Sequence, residues 1–316
     1  MSFAEGIRTA FGGVATLCML VAFGFTLTKL GVVEPHHVRA LSKVVVWFTL
    51  PCLILSTLTS KFEPDEFPFW WLFPIGTMAS VLVLLGFGYM GSTFLNLNHH
   101  DRRLLSCLLA FPNTGYIPLP LAAAVLPSPD RETAFLYIFL LALGSSSLMW
   151  SLGAALISGK RQEIGLAIRS AITPPLVATI VGLVTVFTSL NRYLPFFLRD
   201  GLSMAGNATI PLIMFSLGGM LSGLQRNQSL HLVEVSLLAL LKLGVLPLVV
   251  LFMVKLFAVD EILGFVLVLV AASPPAIGLA VMSNYYDVDS ALMDVSLFWT
   301  YVLCIFTIPL FLVFAG

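Results

Sequence analysis

Residues 108–127 read LLAFPNTGYIPLPLAAAVLP, with prolines at 112, 118, 120 and 127, Gly115, and the polar neighbours Asn113 and Thr114 in an otherwise apolar run. A second stretch, LVLVAASPPAIGLAVMSNYY at 267–286, carries Ser273, Pro274, Pro275, Ala276 and Gly278 near its middle. Proline lacks the N–H a helix needs and pushes the residue before it out of the αR region. Phe111 and Ser273 are therefore predicted to leave helical geometry, releasing carbonyls from one half-helix and N–H groups from the next. Lipid cannot satisfy those groups, so the unwound stretches must be covered by protein or line a hydrated cavity. The amino ends of two half-helices brought to one point carry partial positive charge, which suits a carboxylate. The candidate substrate-binding residues are accordingly Pro112, Asn113, Thr114, Gly115, Tyr116, Ser273, Pro274, Pro275, Ala276 and Gly278. A single proline usually kinks a membrane helix without a functional role. The pairing is what points to a site.

Lys242 lies near the centre of another apolar run, where a charge costs on the order of 2.5–3.5 kcal/mol on insertion scales and normally faces protein or water. It is expected to point toward the crossing of the two broken segments, either compensating freed carbonyls or serving as countercharge to a substrate. The alternative is a lysine neutralised or snorkelling along its helix. Asp294 has two readings of equal standing: pairing with a buried cation or taking a proton, or stabilising the positive amino end of its own helix. Thr49, Pro51, Asn207, Thr209 and Pro211 are read as a wall against which the broken segments slide. Ser145, Ser146 and Ser147 could offer hydroxyls to a cavity, but a serine run also allows close helix packing, and that reading is favoured. Asn284 could line an exit.

Other chemistries lack their residues. The histidines (His36, His37, His99, His100, His231) sit in loops or at span ends with no acidic companion at ligand spacing, so no metal site is expected. Cys18, Cys52, Cys107 and Cys304 lie in apolar runs without CxxC spacing, which is no disulfide framework. There is no HExxH, no facing pair of aspartates and no nucleophile with its base, so neither an enzyme nor a cofactor is expected.

The elements that must hold these residues are membrane helices. Only 10% of the 316 residues are charged and 59% are hydrophobic, whereas a soluble domain carries about 25% charged residues. Formal net charge is zero, which argues against a nucleic-acid partner and leaves lipid as the surrounding medium. Apolar runs near 9–29, 37–59, 68–94, 102–127, 131–157, 172–190, 197–222, 231–257, 261–284 and 289–314 predict ten spans. The first is too long for a signal-peptide core and is read as a retained span. Nine Lys and Arg fall on one side (Lys29, Arg39, Lys43, Arg102, Arg103, Lys160, Arg161, Arg169, Arg226) and six on the other (Arg8, Lys61, Arg131, Arg192, Arg199, Lys255). That bias predicts extracytoplasmic termini for a multi-pass protein of the cell membrane.

TLPCLILSTL at 49–58 resembles TIPLIMFSLG at 209–218, and the same spacing of 160 relates Pro35 to Pro195, Arg39 to Arg199 and Asp101 to Glu261. Five spans in each half, 1–157 and 172–316, would make the second half enter the membrane from the opposite side. That is an inverted-topology repeat, with broken spans 4 and 9 as repeat mates.

At these residues the chain resembles the auxin efflux carrier family, bacterial members and plant PIN-type carriers together. PNTGY at 112–116 is similar to the family's Asn-Pro-Asn-x-Tyr crossover motif; ASPPAIGLAVMSNYYDVDSALMD is similar to its ninth span and following loop. TPPLVATIVGL at 173–183, ATIPLIMFSLGGML at 208–221 and LLKLGVLPL at 240–248 extend the likeness over the whole chain. The resemblance implies ten spans in two inverted halves, with a scaffold of spans 1, 2, 6 and 7 that commonly dimerises, which would make the partner a second copy of the chain. Spans 3–5 and 8–10 would form a moving transport domain, as in the bile acid symporter-like fold. It also implies carboxylate solutes such as auxin, malate or malonate. Phe111 replaces the motif's first Asn, the ionisable pair of the plant span 3 is missing, and a short basic linker near Lys160 replaces the long plant loop, so a bacterial type of carrier fits better. The expected function is a secondary carrier of small organic anions. A sodium-coupled symporter of the bile acid type is the alternative, disfavoured because neither break contains Asp, Glu or Gln.

Overall fold

In the computed structural model, residues 3–95, 97–159, 172–224, 232–286, 288 and 291–315 are described, the side chains of 3–11 and 315 excepted. Lys160, Arg161, Arg169, Arg226 and His231 lie outside the described residues. Among the described residues twelve helices follow one another, with a short 3-10 turn at Leu190–Tyr193 besides: α1 Phe3–Lys29, α2 Pro35–Lys61, α3 Leu72–Leu95, α4 His99–Ala110, α5 Pro118–Val125, α6 Asp130–Ser158, α7 Pro174–Phe187, α8 Phe196–Gly223, α9 Leu232–Leu256, α10 Glu261–Ala272, α11 Gly278–Tyr285 and α12 Ala291–Ala315. Seven of them, α1, α2, α3, α6, α8, α9 and α12, are long and apolar enough to cross a membrane. Helices α7 and α10 are apolar but shorter, and α4–α5 and α10–α11 are the two broken segments.

Helix ends follow local chemistry. Asn98 accepts the Asp101 N–H to start α4, Thr173 accepts from Leu176 ahead of the Pro174–Pro175 pair of α7, and Asp260 accepts from Ile262 and Leu263 at α10. The Thr173 cap fixes the start of α7 at Pro174, and the helix ends at Phe187 after 14 residues. Prolines reshape the ladders upstream of themselves. A proline at i deprives the carbonyl at i−4 of its donor, and the helix widens into π turns at Val45–Thr49 before Pro51 and at Leu241–Val245 before Pro247. Pro211 follows a turn at Ala208 inside α8.

Helices α1, α2, α7 and α8 pack on one another, and α3, α4, α6, α9, α10 and α12 form a second cluster around the breaks. The tightest meeting in the first group is α1 on α8: a Cβ at Gly24 would run into the Phe215 carbonyl, and one at Gly218 into the Val21 carbonyl. Glycine is what lets these two backbones touch. The two groups meet where α1 lies along α5 and α12, and α2 along α6. Leu104, Leu108, Leu136, Ile138, Val266 and Leu269 are fully buried in the second group. Large apolar side chains such as Trp47, Phe87, Phe196, Phe252 and Phe306 face outward, an exterior suited to hydrocarbon rather than water.

Candidate functional site

Phe111 (φ −94°, ψ 98°) and Ser273 (φ −71°, ψ 142°) are extended and end α4 and α10. The unwound stretches that follow them cross in contact. Pro112 and Pro275 oppose each other as an isolated antiparallel bridge. Its two hydrogen bonds run from Asn113 N–H to the Pro274 carbonyl and from Ala276 N–H to the Phe111 carbonyl, each 2.9 Å. Each break thus satisfies the other, as apolar surroundings demand. This changes the donor inventory expected from sequence: two of the N–H groups awaiting a guest are used between the chains' own breaks.

The same exchange orphans a carbonyl. In an unbroken helix Asn113 N–H would serve Leu109. Here Lys242, from the π turn of α9, donates from Nζ to the Leu109 carbonyl at 3.1 Å. Lys242 is fully buried, and it is the only buried charged side chain among the described residues.

Asn113 is occupied on both ends of its amide. Its Oδ1 accepts from Gly115 N–H at 3.2 Å and Tyr116 N–H at 2.8 Å, an Asx turn that shapes the break. Its Nδ2 donates to the Tyr301 hydroxyl of α12 at 2.6 Å. Asn113 is 3% exposed, Tyr301 4%. The Ile277 N–H is directed at the same hydroxyl oxygen, so Tyr301 touches both broken segments. Space remains at Gly115, where an added Cβ would meet nothing within 4 Å.

The walls come from α6. Its π turn, Met149–Gly153, reaches both breaks: a Cβ at Gly153 would stand 3.0 Å from the Phe111 ring, and one at Gly278 would stand 3.1 Å from Met149 Cε. Ser145 of α6 meets the Thr114 hydroxyl at 3.5 Å, the outer limit of a hydrogen bond. Ser147 bonds back to the Leu143 carbonyl, and a Cβ at Gly144 would strike the Pro74 carbonyl of α3, as close packing requires. Ser273 bonds back to the Leu269 carbonyl at 2.8 Å.

Not every sequence candidate joins this cluster. Asp294 stands three residues after Ala291 in α12 and is half-buried. Thr49 and Thr209 are buried with hydroxyls that meet no partner among the described residues, whereas Asn207 and Pro211 are exposed and Pro51 is half-buried. Asn284 is exposed near the end of α11. An apolar recess lined by Trp70, Leu143, Ile180, Leu183, Val184 and Phe187 lies between α6 and α7, away from the crossing. Sequence reasoning missed Tyr301 and the π turn of α6. The only cue for the former is a hydroxyl in a long apolar helix, and its partner is 188 residues away.

A membrane transport protein family model matches residues 9–312. The chain belongs to this family, the auxin efflux carriers. It is 22% identical over 301 residues to an uncharacterized transporter of Methanocaldococcus jannaschii, covering 94% of this chain and 96% of the relative. An uncharacterized transporter of Methanothermobacter thermautotrophicus is 26% identical over 299 residues, covering 94% and 95% of the two chains. The PIN-LIKES 1 protein of Arabidopsis thaliana is 21% identical over 358 aligned residues, 92% of this chain and 75% of the plant protein. As a family member with seven helices long enough to cross a bilayer, this auxin efflux carrier homologue is a multi-pass membrane transporter and not an enzyme.

Proposed function

We propose that the protein is a secondary carrier of small organic anions that holds the substrate's carboxylate at the crossing of α4–α5 with α10–α11. The observation that carries this reading is the Lys242–Leu109 contact: the only buried charge among the described residues is a cation, and it stands one turn from the break. A basic side chain near the break favours an anion, whereas a sodium site wants oxygen ligands, often with a carboxylate.

The carrier works by an elevator-type alternating access. Helices α1, α2, α7 and α8 are the scaffold, and α3–α6 with α9–α12 move against it. Packing supports this division, and it supports inverted repeats as well. With spans numbered along the chain, α1 on α8 and α7 on α2 are the same contact in the two halves, as are α3 on α4 and α9 on α10, or α12 on α4 and α6 on α10. The moving group is not placed symmetrically: α5 leans on α1, whereas its mate α11 packs chiefly on α6 and α12. A substrate path open along α11 and closed along α5 follows.

Counterflow of labelled malonate or pyruvate into proteoliposomes tests the reading. Exchange by the wild type, lost in Asn113→Asp, is the expected result. No exchange of any mono- or dicarboxylate, or exchange that needs sodium, would contradict it.

A further inference from the structure

The orientation of the Asn113 amide is fixed by its neighbours. Two backbone N–H groups, from Gly115 and Tyr116, converge on one end of it, so that end must be the oxygen. The end facing Tyr301 is therefore NH2, and in the 2.6 Å contact the phenol oxygen can only accept. The Tyr301 hydrogen is then left over. Among the described residues no acceptor lies within hydrogen-bond reach of it, although the side chain is 4% exposed and the second Nδ2 hydrogen of Asn113 has no bond among the described residues either. A buried O–H is seldom left without an acceptor. A guest at the crossing is the group that would supply an acceptor to this hydroxyl, which stands at the Nδ2 end of Asn113.

We infer that Tyr301 is a substrate-contacting residue whose hydroxyl, held by the Asn113 amide, donates to a carboxylate oxygen of the transported anion. This rests on the carboxylate reading above and adds to it the group that separates an anion from its neutral analogue. The amide polarises the phenol by donating to it, which makes the phenol a stronger donor in turn. A neutral carboxamide still offers an oxygen acceptor but forgoes the strength of a charge-assisted bond. The pair Asn113–Tyr301 therefore reads the charge of the ligand, and Lys242, spent on Leu109, supplies long-range field rather than direct contact.

Binding of malonate and pyruvate, and of malonamide and pyruvamide, is measured by thermal shift on purified wild type and on Tyr301→Phe. The wild type is expected to bind the acids, and Tyr301→Phe to lose about tenfold in affinity for them, with the preference for acid over amide falling in step. Equal affinity for the acids in both proteins overturns the inference while leaving the carrier reading intact. Equal losses for acid and amide also overturn it, since Tyr301 would then merely hold Asn113 in place. A wild type bound by neither acid overturns the carboxylate reading itself. Should Tyr301→Phe fail to fold, wild-type protein with ring-deuterated tyrosine gives the answer. Its infrared difference spectrum on malonate addition is expected to show one tyrosine C–O band moving to the position of a phenol that donates as well as accepts, and no moving band overturns the inference.

Discussion

Lys242 donates to the carbonyl of Leu109 across 133 residues of sequence, at 3.1 Å and with no exposure to solvent. The contact explains how a broken helix ends among buried apolar neighbours. The N–H that would have closed the last turn of α4 is given to Pro274, and a lysine from a π turn takes its place. Replacing Lys242 by Met leaves that carbonyl unpaired, at a cost of about 1–3 kcal/mol, and removes the only buried cation among the described residues. Lys242→Met is expected to lower the melting temperature by a few degrees and malonate or pyruvate exchange by tenfold or more. A variant that transports at the wild-type rate would show that the charge takes no part in handling the anion.

Asn113 separates structure from charge. Asn113→Asp keeps an acceptor for the Gly115 and Tyr116 N–H groups but cannot donate to Tyr301, and it adds a negative charge beside the bound anion. Asn113→Ala loses the turn as well. The aspartate variant is expected to fold with near-native melting behaviour and to bind no carboxylate, whereas the alanine variant both melts earlier and binds weakly. Carboxylate affinity retained in Asn113→Asp would remove this residue from the site.

The α1–α8 contact is predicted to tolerate no side chain. Gly218→Ala directs a methyl group into the Val21 carbonyl, and overpacking of this kind costs about 1–3 kcal/mol. The measured quantity is the melting temperature in detergent, expected to fall, with Gly223→Ala as a control at a position where a Cβ would meet open space. Equal stability of the two variants would show that α1 and α8 shift apart without cost.

Access to the crossing is expected from the α11 side. In a cysteine-free background, Asn284→Cys at an exposed position of α11 should react quickly with a membrane-impermeant maleimide, and Leu121→Cys at a buried position of α5 slowly. Malonate or pyruvate should change the Asn284→Cys rate. The reverse order of rates would place the open path on the other side.

Much of this was legible because its causes are local. Pro112, Pro274 and Pro275 stand among small and polar neighbours, so both breaks could be placed from residue types, and a lysine at 242 was conspicuous for its cost. Pro51 and Pro247 account for two π turns by the same steric rule, although the third, Met149–Gly153, has no proline after it and left no mark in the sequence. What could not be read were the partners. That Asn113 N–H would go to Pro274 rather than to a guest, and that its amide would find Tyr301, are facts of tertiary register with no periodicity to announce them.

The proposed site puts the anion's carboxylate against Asn113 where the two breaks cross. Dipolar recoupling by solid-state NMR tests it most directly, between carboxylate-13C malonate or pyruvate and side-chain-15N asparagine in bilayer-embedded protein. The prediction is a dephasing that corresponds to hydrogen-bond contact and vanishes in Asn113→Asp. A bound ligand that shows no such coupling in the wild type would contradict it.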